Sequence, residues 1–211
     1  MTAVPSLLNS IQNSVHRSCA LNRRIRVLAR ELATLIPENS TVLDVGTGSG
    51  EIARQIIELK RGVTIRAIDT VVRDHCAIPV EPYDGSIFPF ADGTFDYVIV
   101  VDVLHHADDP LVVMREAFRV ARRAVIIKDH VCNSWFARRV MSCTDWFANY
   151  RHSVSLPFNF WSTAKWREAW KSLGTSPVEY RADFGLYPWI SYLLFSREMD
   201  FIAKLSLPAN R

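Results

Sequence analysis

The sequence predicts an α/β sandwich on a mostly parallel sheet, and three observations carry that expectation. First, two segments rich in β-branched residues, "TVLDVG" and "GVTIRAID", flank "SGEIARQIIELKRG", which has helical spacing and closes on a glycine. A strand, helix, strand unit of that kind is the crossover that parallel strands require. Second, the apolar runs "YVIVV" and "AVII" do not alternate with polar residues, which suits strands covered on both faces. Third, the strand and helix patterns go on alternating up to Asp129, the order of a layered α/β domain.

Taken in order, "NRRIRVLARELATLI" from Asn22 places Ile25, Leu28, Ala29, Leu32, Leu35 and Ile36 on one helical stripe that ends before Pro37. The first strand, first helix and second strand follow. A short strand is expected near 78–83, then the strand "FDYVIVVD", a helix over 110–122 and the strand "AVIIKD". Beyond Asp129 comes a long Trp- and Phe-rich stretch, then a helix "STAKWREAWKSLG" capped by Ser162 and closed by Gly174. Two further strands are expected near 177–182 and 199–206. Asp92 and Asp96 in "FADGTFDYV" read as turn and strand-entry residues, and Gly62, Gly93 and Gly174 as turns or caps.

Bulk properties set the outer limits. A chain of 211 residues with 49% hydrophobic and 22% charged residues supports one sizeable core, so a single domain is expected. A formal charge of +3, with basic residues scattered, does not suggest a nucleic-acid binder. The pairs Arg23/Arg24, Arg122/Arg123 and Arg138/Arg139 all fall in stretches that read as helical, where a solvated face is expected. Cys19, Cys76, Cys132 and Cys143 show no metal or redox spacing and read as free buried thiols. No secretory signal and no run long enough for a membrane span is seen; the nearest, "FGLYPWISYLLF", is short and broken by Pro188. A cytoplasmic protein is the expectation.

Function is most legible at the turn after the first strand. Gly46, Gly48 and Gly50 form GxGxG, a turn that lets a ligand come close to the backbone at the carboxyl end of a parallel strand. A dinucleotide site would want GxGxxG, and a P-loop would want GK[ST]; neither is present. Glu51 in the first helical turn competes with phosphate for the positive end of the dipole. Asp44 repels pyrophosphate but can accept from an ammonium group, and Asp69, ending the second strand, can take both hydroxyls of a ribose. The ligand inferred is a nucleoside with a cationic, amino-acid-like tail and no phosphates.

Over residues 40–130 the chain resembles the class I S-adenosylmethionine-dependent methyltransferases, in particular the methyltransferase type 11-like group. The resemblance lies in "VLDVGTGSG", in the acid of "IRAIDT", and in "YDGSIFPFADGTFDYVIVVDVLHHADDP". It implies a Rossmann-like three-layer sandwich with a seven-stranded sheet, mostly parallel, the last strand antiparallel. It also implies S-adenosylmethionine as cofactor. Carried over, Asp44, Gly46 and Gly48 surround the methionine moiety, Asp69 the ribose, and Asp84 with Gly85 the adenine edge. Val101 and Asp102 lie beneath the sulfonium. The single domain 1–211 then has a helical cap at 1–37 and a lid-like insertion at 130–175.

The sulfonium methyl is already activated, so a base is needed only where the acceptor must lose a proton. His105 and His106 are the candidates, with Asp129 and His130 nearby; packing of the loop is the competing role. "DVLHH" also resembles the acidic E-x-L-E-H segment with which ubiquinone-pathway O-methyltransferases hold a divalent ion, which would use Asp102, His105 and His106. One of that family's acids is replaced here, so no metal is expected. The stretch after Asp129, with Trp135, Trp146, Tyr150, Arg151, His152, Asn159 and Trp161, suits a lid over an apolar or aromatic small-molecule acceptor. A nucleic-acid acceptor is disfavoured because the fourth strand lacks [DN]-P-P-[YF]. The alternatives are a silent methyltransferase-fold scaffold and, less favoured by GxGxG, a nucleotide-dependent oxidoreductase.

Overall fold

The computed structural model describes residues 21–149, 157–186 and 199–208. Helix α1 runs over 21–35, followed by β1 (Thr41–Val45), α2 (Glu51–Leu59), β2 (Thr64–Asp69), β3 (Val80–Pro82) and β4 (Phe95–Val101). After a 3-10 turn at Leu104–His106 come α3 (Pro110–Val120), β5 (Ala121–His130), α4 (Trp135–Asn149), α5 (Thr163–Ser172), β6 (Pro177–Ala182) and β7 (Asp200–Ser206). The sheet order is β3-β2-β1-β4-β5-β7-β6. Every pair is parallel except those of β7, which runs antiparallel to both β5 and β6. Seven strands with the last one reversed is the arrangement the sequence motifs implied.

Both faces of the sheet are covered, which explains the unbroken apolar runs. Val98 and Val100 of β4 join Val125 and Ile127 of β5 in a core closed by α3 and α5. Tyr97 and Ile99 point the other way, with Ala124 and Ile126, onto Ala29 and Leu32 of α1 and Ile36 just beyond it. Leu28, Leu32 and Ile36 are fully buried, each a contribution of about 1.5–3 kcal/mol. Asp96 ties β4 to β1: its Oδ2 accepts from the Thr41 amide (3.0 Å) and hydroxyl (3.1 Å). Ser162 Oγ accepts from the Lys165 amide to start α5, and Gly174, at φ +67°, closes it.

Two expectations need correction. The helix expected over 110–122 stops at Val120, because Ala121 takes extended backbone and pairs with Phe95. Arg122 and Arg123 therefore stand on β5, where both guanidinium groups approach Asp96 Oδ1, at 3.5 and 3.3 Å. Strand pairing has overridden the helical preference of arginine. The thiols differ too: Cys132 is buried, Cys76 half-buried and Cys143 exposed. Burial pushes the Cys132 thiol up to about 11. In the stretch after β5, α5 packs into the sandwich, with Trp166 and Trp170 in the core beside Trp161, while Trp135, Phe136 and Trp146 on α4 are exposed. Tyr150, Arg151, His152 and most of "FGLYPWISYLLF" lie outside the described residues. Among the described residues no helix is long and apolar enough to cross a membrane.

Candidate active site

The strand order reverses between β1 and β4, and a ligand cleft forms at such a switch point, outside the carboxyl ends of the strands. The glycine turn sits there. Gly46, Gly48 and Gly50 all have positive φ (+67°, +61° and +71°), yet they do different things. A Cβ on Gly46 would fall 2.3 Å from Val103 Cγ2, and one on Gly50 would fall 2.9 Å from Ile78 Cγ1. Those two glycines let neighbouring loops close. A Cβ on Gly48 would meet only the tip of Arg73, at 3.4 Å, so Gly48 is the glycine that leaves room for a ligand.

Two acids frame that room. Asp69 takes the Gly48 amide at Oδ2 (2.7 Å) and the Val71 amide at Oδ1 (3.0 Å), which aims the carboxylate across the turn. Asp44 sits on β1, one step before the turn, and is buried. The Thr47 hydroxyl donates to it at 2.5 Å, and no cation pairs with it among the described residues. Burial, only partly offset by Thr47, pushes its pKa up to about 7, with the Asp69 charge adding to the rise. Such a group calls for a cationic ligand. Asp84 is exposed; its Oδ1 accepts from the Ser86 amide and hydroxyl and the Ile87 amide. Those bonds hold it below the usual carboxylate range. Gly85, at φ +87°, would set a Cβ 3.3 Å from Thr70 Cγ2.

At the end of β4 the side chains diverge. Val101 packs into the α1 core, and Val103 backs the glycine turn. Asp102 is held at φ +55°, a left-handed conformation unusual for aspartate. Its Oδ2 pairs with Arg24 of α1, and its Oδ1 accepts from Lys128 Nζ at 2.5 Å. Fully buried Lys128 also reaches Asp200 Oδ1 at 2.6 Å. His130 completes the group, with Nε2 3.3 Å from Asp102 and Nδ1 2.9 Å from Asp200. Burial raises the Asp102 carboxyl, but Lys128, Arg24, His130 and His105 together outweigh it and hold the group far below its ordinary range. Asp200 behaves the same way, burial being overcome by Lys128 and His130. Lys128 and Asp200, like Arg73, were not singled out from sequence, and Arg24 was expected only on a solvated face. Three separate elements, α1, β5 and β7, bring Arg24, Lys128 and Asp200 together around Asp102.

His105 lies in the 3-10 turn, buried, with Nδ1 2.7 Å from Asp129 Oδ1. Burial lifts that carboxyl, but His105 and His130 together outweigh it and hold Asp129 below its ordinary range, so the geometry assigns Nδ1–H as the donor to the carboxylate. With that proton on Nδ1, the ring when neutral would carry its lone pair on Nε2. Asp129 also accepts from the Leu104 and His130 amides, so one carboxylate both shapes the turn and orients the imidazole. Phe160 stacks on His105 at 5.1 Å and His106 tilts against it at 4.0 Å. Asn159 pins this turn from across the chain, its amide donating to the His105 carbonyl and its Nδ2 to that of Ala107. Among the described residues, one His and carboxylate group converges: atoms of Asp102, His105 and His130, all within 4.8 Å. His130 thus stands where sequence suggested His106. Both Asp102 oxygens already face Arg24 and Lys128, so these cations compete with any metal there.

Residues 16–180 match the family described as methyltransferase domain. The chain belongs to that family. Its cofactor is S-adenosylmethionine, and the buried, cation-seeking Asp44 beside open Gly48 fits the ammonium end of that molecule. An uncharacterized protein of Methanocaldococcus jannaschii is 32% identical over 81 residues, a stretch covering 38% of this chain and 39% of that protein. In fold, the chain resembles a Haloferax volcanii chain from a complex with the Trm112 methyltransferase activator, with a TM-score of 0.63 at 19% identity over 92% of this chain and 94% of that one. A SAM-dependent methyltransferase of Thermotoga maritima matches with a TM-score of 0.63 at 16% identity, covering 93% of this chain and 96% of that one.

Proposed function

We propose that this methyltransferase transfers the methyl of S-adenosylmethionine to a small-molecule acceptor with an apolar or aromatic body. The observation that carries the reading is Asp44, a buried carboxylate at the switch point with no cation against it among the described residues. Asp44 and Gly48 would hold the ammonium end, with Gly46 keeping the turn closed on Val103. Arg73, whose tip lies over Gly48, is placed to take the carboxylate of the same moiety. Asp69 would take the ribose hydroxyls, Asp84 and Gly85 the adenine edge, and Val101 with the Asp102 backbone would close the cleft beneath the sulfonium. Bound there, the sulfonium presents a methyl group activated for in-line displacement.

The acceptor's proton is assigned to His105. Three carboxylates (Asp102, Asp129 and Asp200) face two permanent cations (Arg24 and Lys128), so one further proton neutralises the group. Asp129 orients the ring for that proton, as an acid behind an imidazole base does. His106 would pack the ring in place. Above lies an apolar cluster of Cys132, Met141, Phe160 and Met199, which supports α4, within the 130–175 insertion, as the lid over an apolar acceptor. The stretch 1–37 would act as the cap, since Arg24 reaches the site from α1.

The test has two stages. Calorimetry should show binding of S-adenosylhomocysteine that is weakened in Asp69→Ala, and NAD should not bind; absence of the first would overturn the cofactor assignments. Labelled methyl donor offered with a panel of small hydroxylated and amino-bearing ring compounds should then label an acceptor. In His105→Asn the rate should fall by about 10²–10⁴-fold with S-adenosylhomocysteine affinity unchanged, and the loss should shrink for acceptors that are already anionic. An undiminished rate removes His105 from the chemistry. Failure to label any acceptor despite intact binding favours a scaffold role.

A further inference from the structure

Behind the site, on the face covered by α3 and α5, a cavity of about 240 Å³ opens between α5 and the outer strands. Trp166, Trp170, Tyr180 and Phe201 wall it. The rings pack on one another, Trp166 to Phe201 at 5.0 Å and Tyr180 flat on Phe201 at 5.7 Å, so the wall is preformed. A second, more open hollow of about 400 Å³ adjoins it, sharing Arg167 and Trp170 and adding Lys171. The Trp170 side chain is 94% buried by its 6% exposure, and its indole N–H has no acceptor among the described residues. A buried donor without an acceptor is costly unless a ligand supplies one. Arg167 and Lys171 stand one turn apart on α5 at the rim, and no carboxylate among the described residues pairs with either. Like charges at that spacing destabilise a helix, and an anion between them would remove the penalty.

From these features we propose that this cleft is a second ligand site, for a planar aromatic carboxylate. Its ring would lie against the indoles, and its oxygens would meet Arg167, Lys171 and the Trp170 N–H. The cavity suits a one- or two-ring body rather than a drug-sized molecule. The site is distinct from the cofactor cleft, but Trp166 joins the two: its Nε1–H donates to the His130 carbonyl at 3.0 Å, so a ring seated here leans on a residue that holds β5 beside the charge cluster.

The probe is 2-naphthoate, titrated into the full chain by calorimetry with and without saturating S-adenosylhomocysteine. We expect saturable one-to-one binding that S-adenosylhomocysteine does not displace. Replacing both cations (Arg167→Ala with Lys171→Ala) should weaken it about tenfold or more, and neutral 2-naphthalenemethanol should bind as weakly to the unmodified chain. Trp170→Phe should weaken it severalfold. Both cations are at the surface, so unchanged S-adenosylhomocysteine affinity in the double variant certifies the fold. Absence of saturation, displacement by S-adenosylhomocysteine, or indifference to loss of both cations would each overturn the proposal; the last would mean adsorption to an apolar surface only.

Discussion

Acidifying the solution should loosen the hold of this protein on S-adenosylhomocysteine, with Asp44 as the cause. Its carboxyl is raised from 3.8 to about 7 by burial. The ligand's ammonium stays charged throughout the acidic range, so only the ionised form of Asp44 attracts it. Below about pH 7, each pH unit should raise Kd about tenfold, a change of about 1.4 kcal/mol. The free protein should respond in the opposite sense. Asp44 binds a proton in the folded chain at pH values where the unfolded chain has released it, so its contribution to stability is full below 3.8 and is lost as pH rises to about 7. The interval corresponds to about 4 kcal/mol as an order of magnitude. Asp44→Asn should bind weakly at all pH values and lose this slope. Calorimetry across about pH 5 to 8, with urea unfolding of the free chain, measures both effects. A flat Kd in the unmodified protein, or a slope that survives in Asp44→Asn, would refute the argument.

Two further outcomes follow from packing and charge. Lys128→Met keeps the buried stem but leaves Asp102 and Asp200 without their shared cation, and urea unfolding should show a loss of about 3–5 kcal/mol; a neutral result would mean the two acids are protonated or reached by water. Gly46→Ala and Gly93→Ala both force alanine to positive φ, but only the first drives a Cβ against Val103, while Gly93 meets nothing within 4 Å. The first should cost well over the roughly 1 kcal/mol expected of the second, and equal losses would show that Val103 moves aside.

Local pattern was enough for most of the architecture. Strands of unbroken β-branched residues announced a sheet covered on both sides, and GxGxG with Asp44 and Asp69 marked the turn as a candidate site, because a turn and its flanking acids sit within one crossover unit. The boundary between α3 and β5 was not legible in the same way. Residues 121–123 have no intrinsic reason to leave the helix; Ala121 does so to pair with Phe95. Individual glycine roles were also hidden, since Gly46 and Gly48 differ only in what faces them, the Val103 side chain or the tip of Arg73.

The charge cluster shows the division most clearly. Arg24, Asp102, Lys128, His130 and Asp200 are spread over α1, the residue after β4, β5 and β7, and no spacing in the chain relates them. Lys128 lies in an apolar strand, where a lone lysine is expensive to bury; the antiparallel register that sets His130 against Asp200 is what brings its counter-charge. Hydrophobic period and turn chemistry act between near neighbours and can be read along the chain. Compensation of a buried charge acts through space, and it exists only once the strands have paired.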